Sequence, residues 1–183
     1  MNYRMLAAAA AISVCALGSA SCSDDDPGPG PSGPPTTFVF TSALTTANEV
    51  PPIGNATEAG ASGTVTITMN VTRDASGAIT AATTTFVCNV TGFPAGSAVN
   101  VAHIHNAAAG ASASVFLNTG LVAGEVVLTN GAGSFTKSAV NTTVAQAEAI
   151  IANPPGHYFN VHSSLNPGGV IRGQLTLQSS SQP

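Results

Sequence analysis

Four histidines stand out in this chain, because its 183 residues include only 4 Lys and Arg and 8 Asp and Glu. His103 and His105 are two residues apart in a segment that reads as a β-strand, so their side chains point to one face. His162 stands at the end of a second strand-like segment that can lie beside the first. Three neutral imidazoles make a good Zn²⁺ or Cu²⁺ site and leave a position for water. The spacing therefore predicts a metal site at these three residues.

A structural role is the alternative for the same histidines. In that role their ring nitrogens are hydrogen-bonded, and Asn106, Asn160 and Ser163 are the expected partners. His157 is treated separately, because it precedes His162 by five residues and the two face opposite ways on a regular strand. His157 is therefore predicted to be a turn or rim residue.

The remaining polar residues form no recognisable catalytic set. Glu58, Glu125 and Glu148 show no pairing at a spacing useful for acid–base chemistry. The serine pair at 163–164 lacks the Gly-x-Ser-x-Gly pattern of a nucleophile elbow. No catalytic residue is predicted, and the sequence favours a protein that is not an enzyme.

Charge is the most unusual feature of the composition. Only 7% of the residues are charged, against about 25% in an ordinary soluble domain. The basic residues are scattered at Arg4, Arg73, Lys137 and Arg172, which excludes a nucleic-acid partner. Beside a bound metal, Arg172 would attract a small anion. Glu49 is expected to cap a turn or to bind Arg172.

Most of the chain reads as short β-strands separated by Gly, Pro, Asn or Asp turns. The segment 63–72 is the clearest, since Val, Ile and Met alternate with Thr and Asn. A capping box at Thr143 and Gln146 predicts one short helix near 143–152, which Pro154 and Pro155 stop. The pattern predicts an all-β, antiparallel, Greek-key sandwich or barrel of about eight or nine strands, immunoglobulin-like or superoxide-dismutase-like. The strands are expected at 37–44, 63–72, 79–90, 99–105, 114–117, 124–128, 133–137, 158–162 and 170–177.

The first 36 residues read as an export signal followed by a linker. Residues 1–21 have the short positive start, apolar stretch and small residues of a signal peptide. The residues around Cys22 resemble a bacterial lipoprotein signal, although Ser19 stands where Leu is usual, so Cys22 is the candidate lipidation site. The Pro, Gly and Asp residues of 22–36 predict a linker, followed by a domain at 37–178 and a tail at 179–183. Cys88 then has no disulfide partner and is predicted to be a small buried hydrophobe.

Three stretches in order resemble the CHRD domain, a module found in chordin and in exported bacterial proteins. They are Ala-Asn-Glu-Val-Pro-Pro at 47–52, Ala-His-Ile-His at 102–105, and Tyr-Phe-Asn-Val-His at 158–162 followed by 166–175. The resemblance covers about 37–178. Val170 stands where the family commonly has an acidic residue, which argues against a carboxylate role there.

A weaker resemblance connects the same residues with copper/zinc superoxide dismutase. That family has a His-x-His strand and, near its C-terminus, Val-His followed by Gly-Gly and an Arg. Here these match His103 and His105, then Val161-His162, Gly168-Gly169 and Arg172. The chain lacks the bridging His, the zinc loop with its Asp and the Cys pair, so the resemblance implies a three-His site and not dismutase activity.

Two functional hypotheses follow. The first is a non-catalytic CHRD module, exported and held at the cell envelope through a lipid anchor or secreted, which binds or adheres to an unknown protein or glycan and requires no cofactor. The second is a copper- or zinc-binding protein that uses His103, His105 and His162, with weak redox activity as a further expectation.

Overall fold

The computed structural model describes residues 33–182. The predicted signal peptide 1–21, Cys22 and the linker up to residue 32 lie outside the described residues. Within 33–182, no helix is both long enough and apolar enough to cross a membrane.

Within residues 33–182, ten strands form one antiparallel sheet, which confirms the all-β prediction, although eight or nine strands were expected. The main path is β5-β4-β8-β9-β1-β2-β3-β7, while β10 pairs with β1 and β6 pairs with β4. The elements are β1 (Thr37–Thr45), β2 (Ser62–Arg73), β3 (Ile79–Thr91), β4 (Ser97–His105), β5 (Val115–Asn118), β6 (Val126–Leu128), β7 (Gly133–Thr142), α1 (Val144–Ala152), β8 (Tyr158–Ser163), β9 (Ile171–Gln174) and β10 (Thr176–Ser181), with 3-10 turns at Thr46–Asn48, Ala56–Glu58 and Pro154–Gly156.

The sheet curls into a nearly closed barrel. Strand β6 pairs with β4 at one end of the sheet and contacts β7 at the other end. Side chains from opposite walls meet inside, where the rings of Phe86 and Phe159 stack with centroids 5.9 Å apart. Cys88 is a free thiol in this core, as predicted, and burial raises its pKa to about 12.

Alternation in the sequence correctly located the longest hairpin. Val65, Ile67 and Met69 are buried, and the threonines between them face outward. In the β2–β3 register Ile67 lies opposite Phe86, so apolar side chains of both strands share the inner face.

The predicted capping box of α1 is confirmed. The Thr143 hydroxyl accepts a hydrogen bond from the Gln146 amide at 3.2 Å, and the Gln146 side chain accepts one from the Thr143 amide at 2.9 Å. Ala147 and Ile150 bury one side of the helix against the barrel. Two otherwise unpaired N–H groups at the helix start are thus satisfied.

The single strand predicted at 170–177 is wrong, because it divides into β9 and β10 at Leu175. The Leu175 side chain is fully buried, and its amide donates to the carbonyl oxygen of His157 at 2.9 Å instead of continuing the ladder. Before this point the chain pairs with β8, and after it the chain pairs with β1. Strand β10 continues to Ser181, into the segment expected to be a tail.

Strand β8, most of β9 and the end of β4 from Ala102 to His105 are buried on both faces, which sets them apart from the rest of the barrel. Their inner faces are apolar and join the core, as at Ile104, Phe159 and Ile171. Their outer faces carry polar residues, among them His103, His105, Tyr158, Asn160, His162 and Arg172, all of which are at most 8% exposed. The loops at 46–58, 106–114 and 164–170 contact this outer face and exclude water from it.

Candidate metal centre

The structure brings His103, His105 and His162 together on this outer face. His103 and His105 project from the same side of β4, and their rings lie 4.6 Å apart between centroids. In the β4–β8 register His162 lies opposite Val101, one diagonal step from His103. The Nε2 atoms of His103 and His162 are 2.8 Å apart, and one ligand atom from each of the three histidines lies within 4.8 Å of the others.

Backbone carbonyls from two loops fix the orientation of two of the rings. Nδ1 of His105 donates to the carbonyl oxygen of Ala113 at 2.8 Å, and Nδ1 of His162 donates to that of Pro167 at 2.8 Å. A carbonyl can only accept, so each Nδ1 carries the hydrogen and each neutral ring presents a lone pair on Nε2. Metal-binding histidines commonly have such a partner on the other nitrogen.

The hydrogen-bond partners expected from the sequence are therefore wrong. Asn106 is exposed, and Asn160 makes no hydrogen bond to any of the rings. The Ser163 hydroxyl donates to Glu58 instead. Loop carbonyls replace these side chains because the loops, and not the residues next in sequence, lie against the ring edges.

All three imidazoles are held in the neutral form. Burial lowers the pKa of His103 to about 3, and repulsion from His162 and His105 adds to the effect. Burial also lowers the pKa values of His105 and His162, although hydrogen bonds to backbone carbonyls oppose the shift. A neutral imidazole is the form that binds a metal ion, so the site needs no loss of protons at neutral pH.

A stack of three side chains continues from the histidines across the sheet. The rings of His105 and Tyr158 are nearly parallel, at 13° and 4.6 Å between centroids. The Arg172 guanidinium lies over the same tyrosine, 4.4 Å from its centroid. Because β8 lies between β4 and β9, Tyr158 separates the cation from the imidazole.

Arg172 is buried and held by the loop that precedes β2. Its Nε donates to the carbonyl oxygen of Asn48 at 2.5 Å, while the Asn48 amide donates to the Arg172 carbonyl oxygen at 3.0 Å. A cavity of about 230 Å³ lies beside the guanidinium, lined by Ala47, Asn48, Val50, Ala109, Gly110, Arg172 and Gln174.

Glu49 and Asn160 are both buried, and Glu49 takes one of the two roles expected of it, the end of a turn. Glu49 ends the 3-10 turn through its backbone amide, which donates to Thr46, but within the described residues it makes no ion pair with Arg172. Burial raises the pKa of Glu49 to about 7, and the positive charge of Arg172 limits the rise. Asn160 is only 3% exposed.

A second polar cluster joins two of the covering loops. Glu58 is fully buried and accepts hydrogen bonds from the Ser163 hydroxyl at 2.5 Å and the Asn166 amide at 2.7 Å. Asn166 also accepts from the Asn55 amide at 2.8 Å. These partners are more than 100 residues apart in sequence, so no local sequence pattern could indicate their hydrogen bonds.

His157 was predicted to be a turn or rim residue: the turn position is confirmed and the rim position is wrong. It follows the turn Pro154–Gly156, but only 2% of it is exposed. Its Nδ1 lies 3.0 Å from the carbonyl oxygen of Asn153, and its ring packs against Phe116 at 5.1 Å. At the break between β9 and β10, the Leu175 amide donates a hydrogen bond to the His157 carbonyl oxygen. This bond holds the His157 segment against the barrel.

Comparison with known families finds one match. The model of the CHRD domain family matches residues 40–175, which include the three histidines, Glu49, Asn160 and Arg172. No curated protein matches the chain, and no solved structure matches it.

Proposed function

Because the chain belongs to the CHRD domain family, we propose that it is an exported, non-catalytic binding module that holds a Zn²⁺ or Cu²⁺ ion. His103, His105 and His162 are the proposed ligands. This proposal combines the two functional hypotheses, the binding module and the metal site, and it requires no catalytic group.

One observation carries the proposal: three buried, neutral imidazoles converge, and loop carbonyls orient two of them with Nε2 lone pairs inward. Nitrogen ligands stand about 2.0–2.1 Å from Zn²⁺, so two of them on one tetrahedral ion are about 3.3 Å apart. The 2.8 Å separation between His103 and His162 would widen by about half an ångström, and the widest separation would shorten. Imidazole suits both Zn²⁺ and Cu²⁺.

Arg172 is the proposed attractor of a small anion. Its guanidinium borders the cavity of about 230 Å³. A diffusing anion would be drawn toward this cavity by the charge, at the far side of Tyr158 from the histidines.

Adhesion to a protein or glycan remains the second candidate. The outer faces of β2 and β3 are exposed, almost free of charge and rich in threonine, as at Thr64, Thr66 and Thr83. Such a face offers hydroxyl groups to a neutral polar partner. The two functions are compatible, because this face and the histidines lie on different strands.

Export and anchoring are proposals from the first 36 residues. The signal peptide 1–21 would direct export, and a lipid on Cys22 would hold the domain at a membrane through the linker. Labelled palmitate should be incorporated by the wild-type protein and not by Cys22→Ala. Label that persists in the variant would rule out Cys22 as the anchor.

Thermal unfolding with added Zn²⁺ or Cu²⁺ tests the metal site. Free metal at about 100 times Kd should stabilise the wild-type fold by about 2.7 kcal/mol. His103→Ala should remove most of that gain, while His157→Gln, which alters a buried histidine outside the cluster, should keep it. If neither ion stabilises the wild type, the metal function is wrong and the adhesion role is left.

A further inference from the structure

Three buried atoms on the outer face of β4, β8 and β9 have no hydrogen-bond partner within residues 33–182. They are Nε2 of His105, Oδ1 of Asn160 and Oε1 of Glu49. Their residues are 7%, 3% and 5% exposed, so bulk water does not satisfy them. An unpaired buried polar group costs about 1–3 kcal/mol, and three of them in one place indicate an occupant.

The three residues are neighbours in the sheet and its covering loop. Asn160 lies directly opposite His103 on one side and Arg172 on the other. By strand alternation it shares its face with the ligand His162. A Cβ built on Gly169 would stand 2.8 Å from Oε2 of Glu49 and within 3.1 Å of both polar atoms of the Asn160 amide. The carboxylate and the amide therefore meet over the row of histidines.

All three unpaired atoms are acceptors, and this restricts what can occupy the space between them. Nε2 of His105 offers a lone pair because its Nδ1 hydrogen is used at Ala113. Oδ1 of Asn160 also accepts, and so does the carboxylate of Glu49, which is the form present above its pKa of about 7. An anion would leave them unsatisfied, whereas a metal ion that carries a water molecule satisfies the imidazole directly and the oxygens through the water hydrogens.

Glu49 is placed to act through water and not as a ligand. The ligand atoms that approach within 4.8 Å of one another belong to the three histidines, and Glu49 is not among them. A water molecule bound as the fourth ligand of the ion would donate one hydrogen bond to Glu49 and one to Asn160.

We infer that Glu49 and Asn160 hold a water ligand on the ion bound by His103, His105 and His162, so that the site takes a hydrated divalent cation. This inference rests on the proposed metal site. Glu49 and Asn160 are positioning residues in it. The oxygen acceptors and the water favour Zn²⁺ or Cu²⁺ over the softer Cu⁺.

Pulsed EPR of the Cu²⁺-loaded full-length protein in H₂O and D₂O tests the water directly. The wild type should show strongly coupled exchangeable protons, distinct from the weakly coupled ring N–H protons of the histidines. Glu49→Gln should change or lose these couplings, because the charged acceptor is gone. The matched control is Glu148→Gln, which makes the same change at an exposed position on α1.

Metal affinity gives a second measurement on the same variants. Loss of an outer partner of a metal site lowers affinity about 10–100-fold, so Glu49→Gln should bind Cu²⁺ and Zn²⁺ more weakly by that factor. Glu148→Gln should match the wild type. If Glu49→Gln is also less stable without metal, the proton couplings distinguish a role at the water ligand from a role in the fold alone. A merely structural change leaves the couplings of a retained water unaltered.

The outcomes separate this inference from the proposed function. Wild-type protein that binds neither ion, or binds equally after His103→Ala, refutes the metal site itself. Binding through the histidines without strongly coupled exchangeable protons refutes only the water ligand. Wild-type couplings retained in Glu49→Gln refute the role of Glu49 while the metal site stands.

Discussion

Glu49 and His103 should make the stability of the metal-free protein respond to pH in opposite directions. Burial raises the pKa of Glu49 from an ordinary 4.5 to about 7 in the folded protein. Between these values the folded state binds more protons than the unfolded state, so stability rises as pH falls from 7 toward 4.5. At 1.36 kcal/mol per pKa unit, acidification from about pH 7.5 to about pH 5 should add about 2 kcal/mol at this residue.

His103 has the opposite effect over the same range. Its pKa falls from an ordinary 6.5 to about 3, chiefly through burial. Below pH 6.5 the unfolded chain therefore binds a proton at His103 that the folded protein does not bind. Stability is therefore complete above 6.5 and falls as the pH is lowered. Between about pH 7.5 and about pH 5 the loss should be about 2 kcal/mol. The contributions of Glu49 and His103 nearly cancel each other in the wild type, so its pH response does not reveal either of them.

Two variants separate these contributions. Urea denaturation of EDTA-treated Glu49→Gln should show a loss of about 2 kcal/mol or more on acidification, since His103 then acts without compensation. His103→Gln should keep the gain from Glu49. His105 and His162 contribute to both variants alike, so the two pH responses should differ by about 4 kcal/mol. Equal pH responses in the two variants would refute the argument that burial raises the pKa of Glu49 and lowers the pKa of His103.

Three further outcomes follow from the same contacts. Gly169→Ala should lower both stability and metal affinity, because φ is 128° there and the new Cβ would meet Glu49 and Asn160 at 2.8 Å; calorimetry and metal titration check this. Thr143→Ala should cost about 1 kcal/mol in urea denaturation by removing the cap that Gln146 shares, without changing metal affinity. Metal affinity of Glu49→Gln, in which no carboxyl titrates beside the imidazoles, should stay constant as pH is lowered through the ordinary histidine pKa of 6.5, because burial lowers the pKa values of all three imidazoles; a pH series of titrations in which affinity began to fall near 6.5 would contradict this.

Local sequence patterns determined the all-β class, the β2–β3 hairpin and the capped helix. Each depends on residues within about ten positions, where alternation or a cap decides the backbone without help from the rest of the chain. The approach of His103 and His105 is also local, since a strand places residues two apart on one face. The spacing of these two histidines was enough to indicate chemistry.

Only the tertiary structure decided what surrounds the histidines. The loop at 46–58 lies more than 100 residues from Arg172 and 45 positions or more from the histidines in sequence, yet it brings Glu49 to their face. Carbonyls of Ala113 and Pro167 took the place of the side chains expected to bond the rings. The break at Leu175 buried His157. Such contacts depend on which loops cover which strands, and this is set by closure of the whole barrel and not by any local pattern.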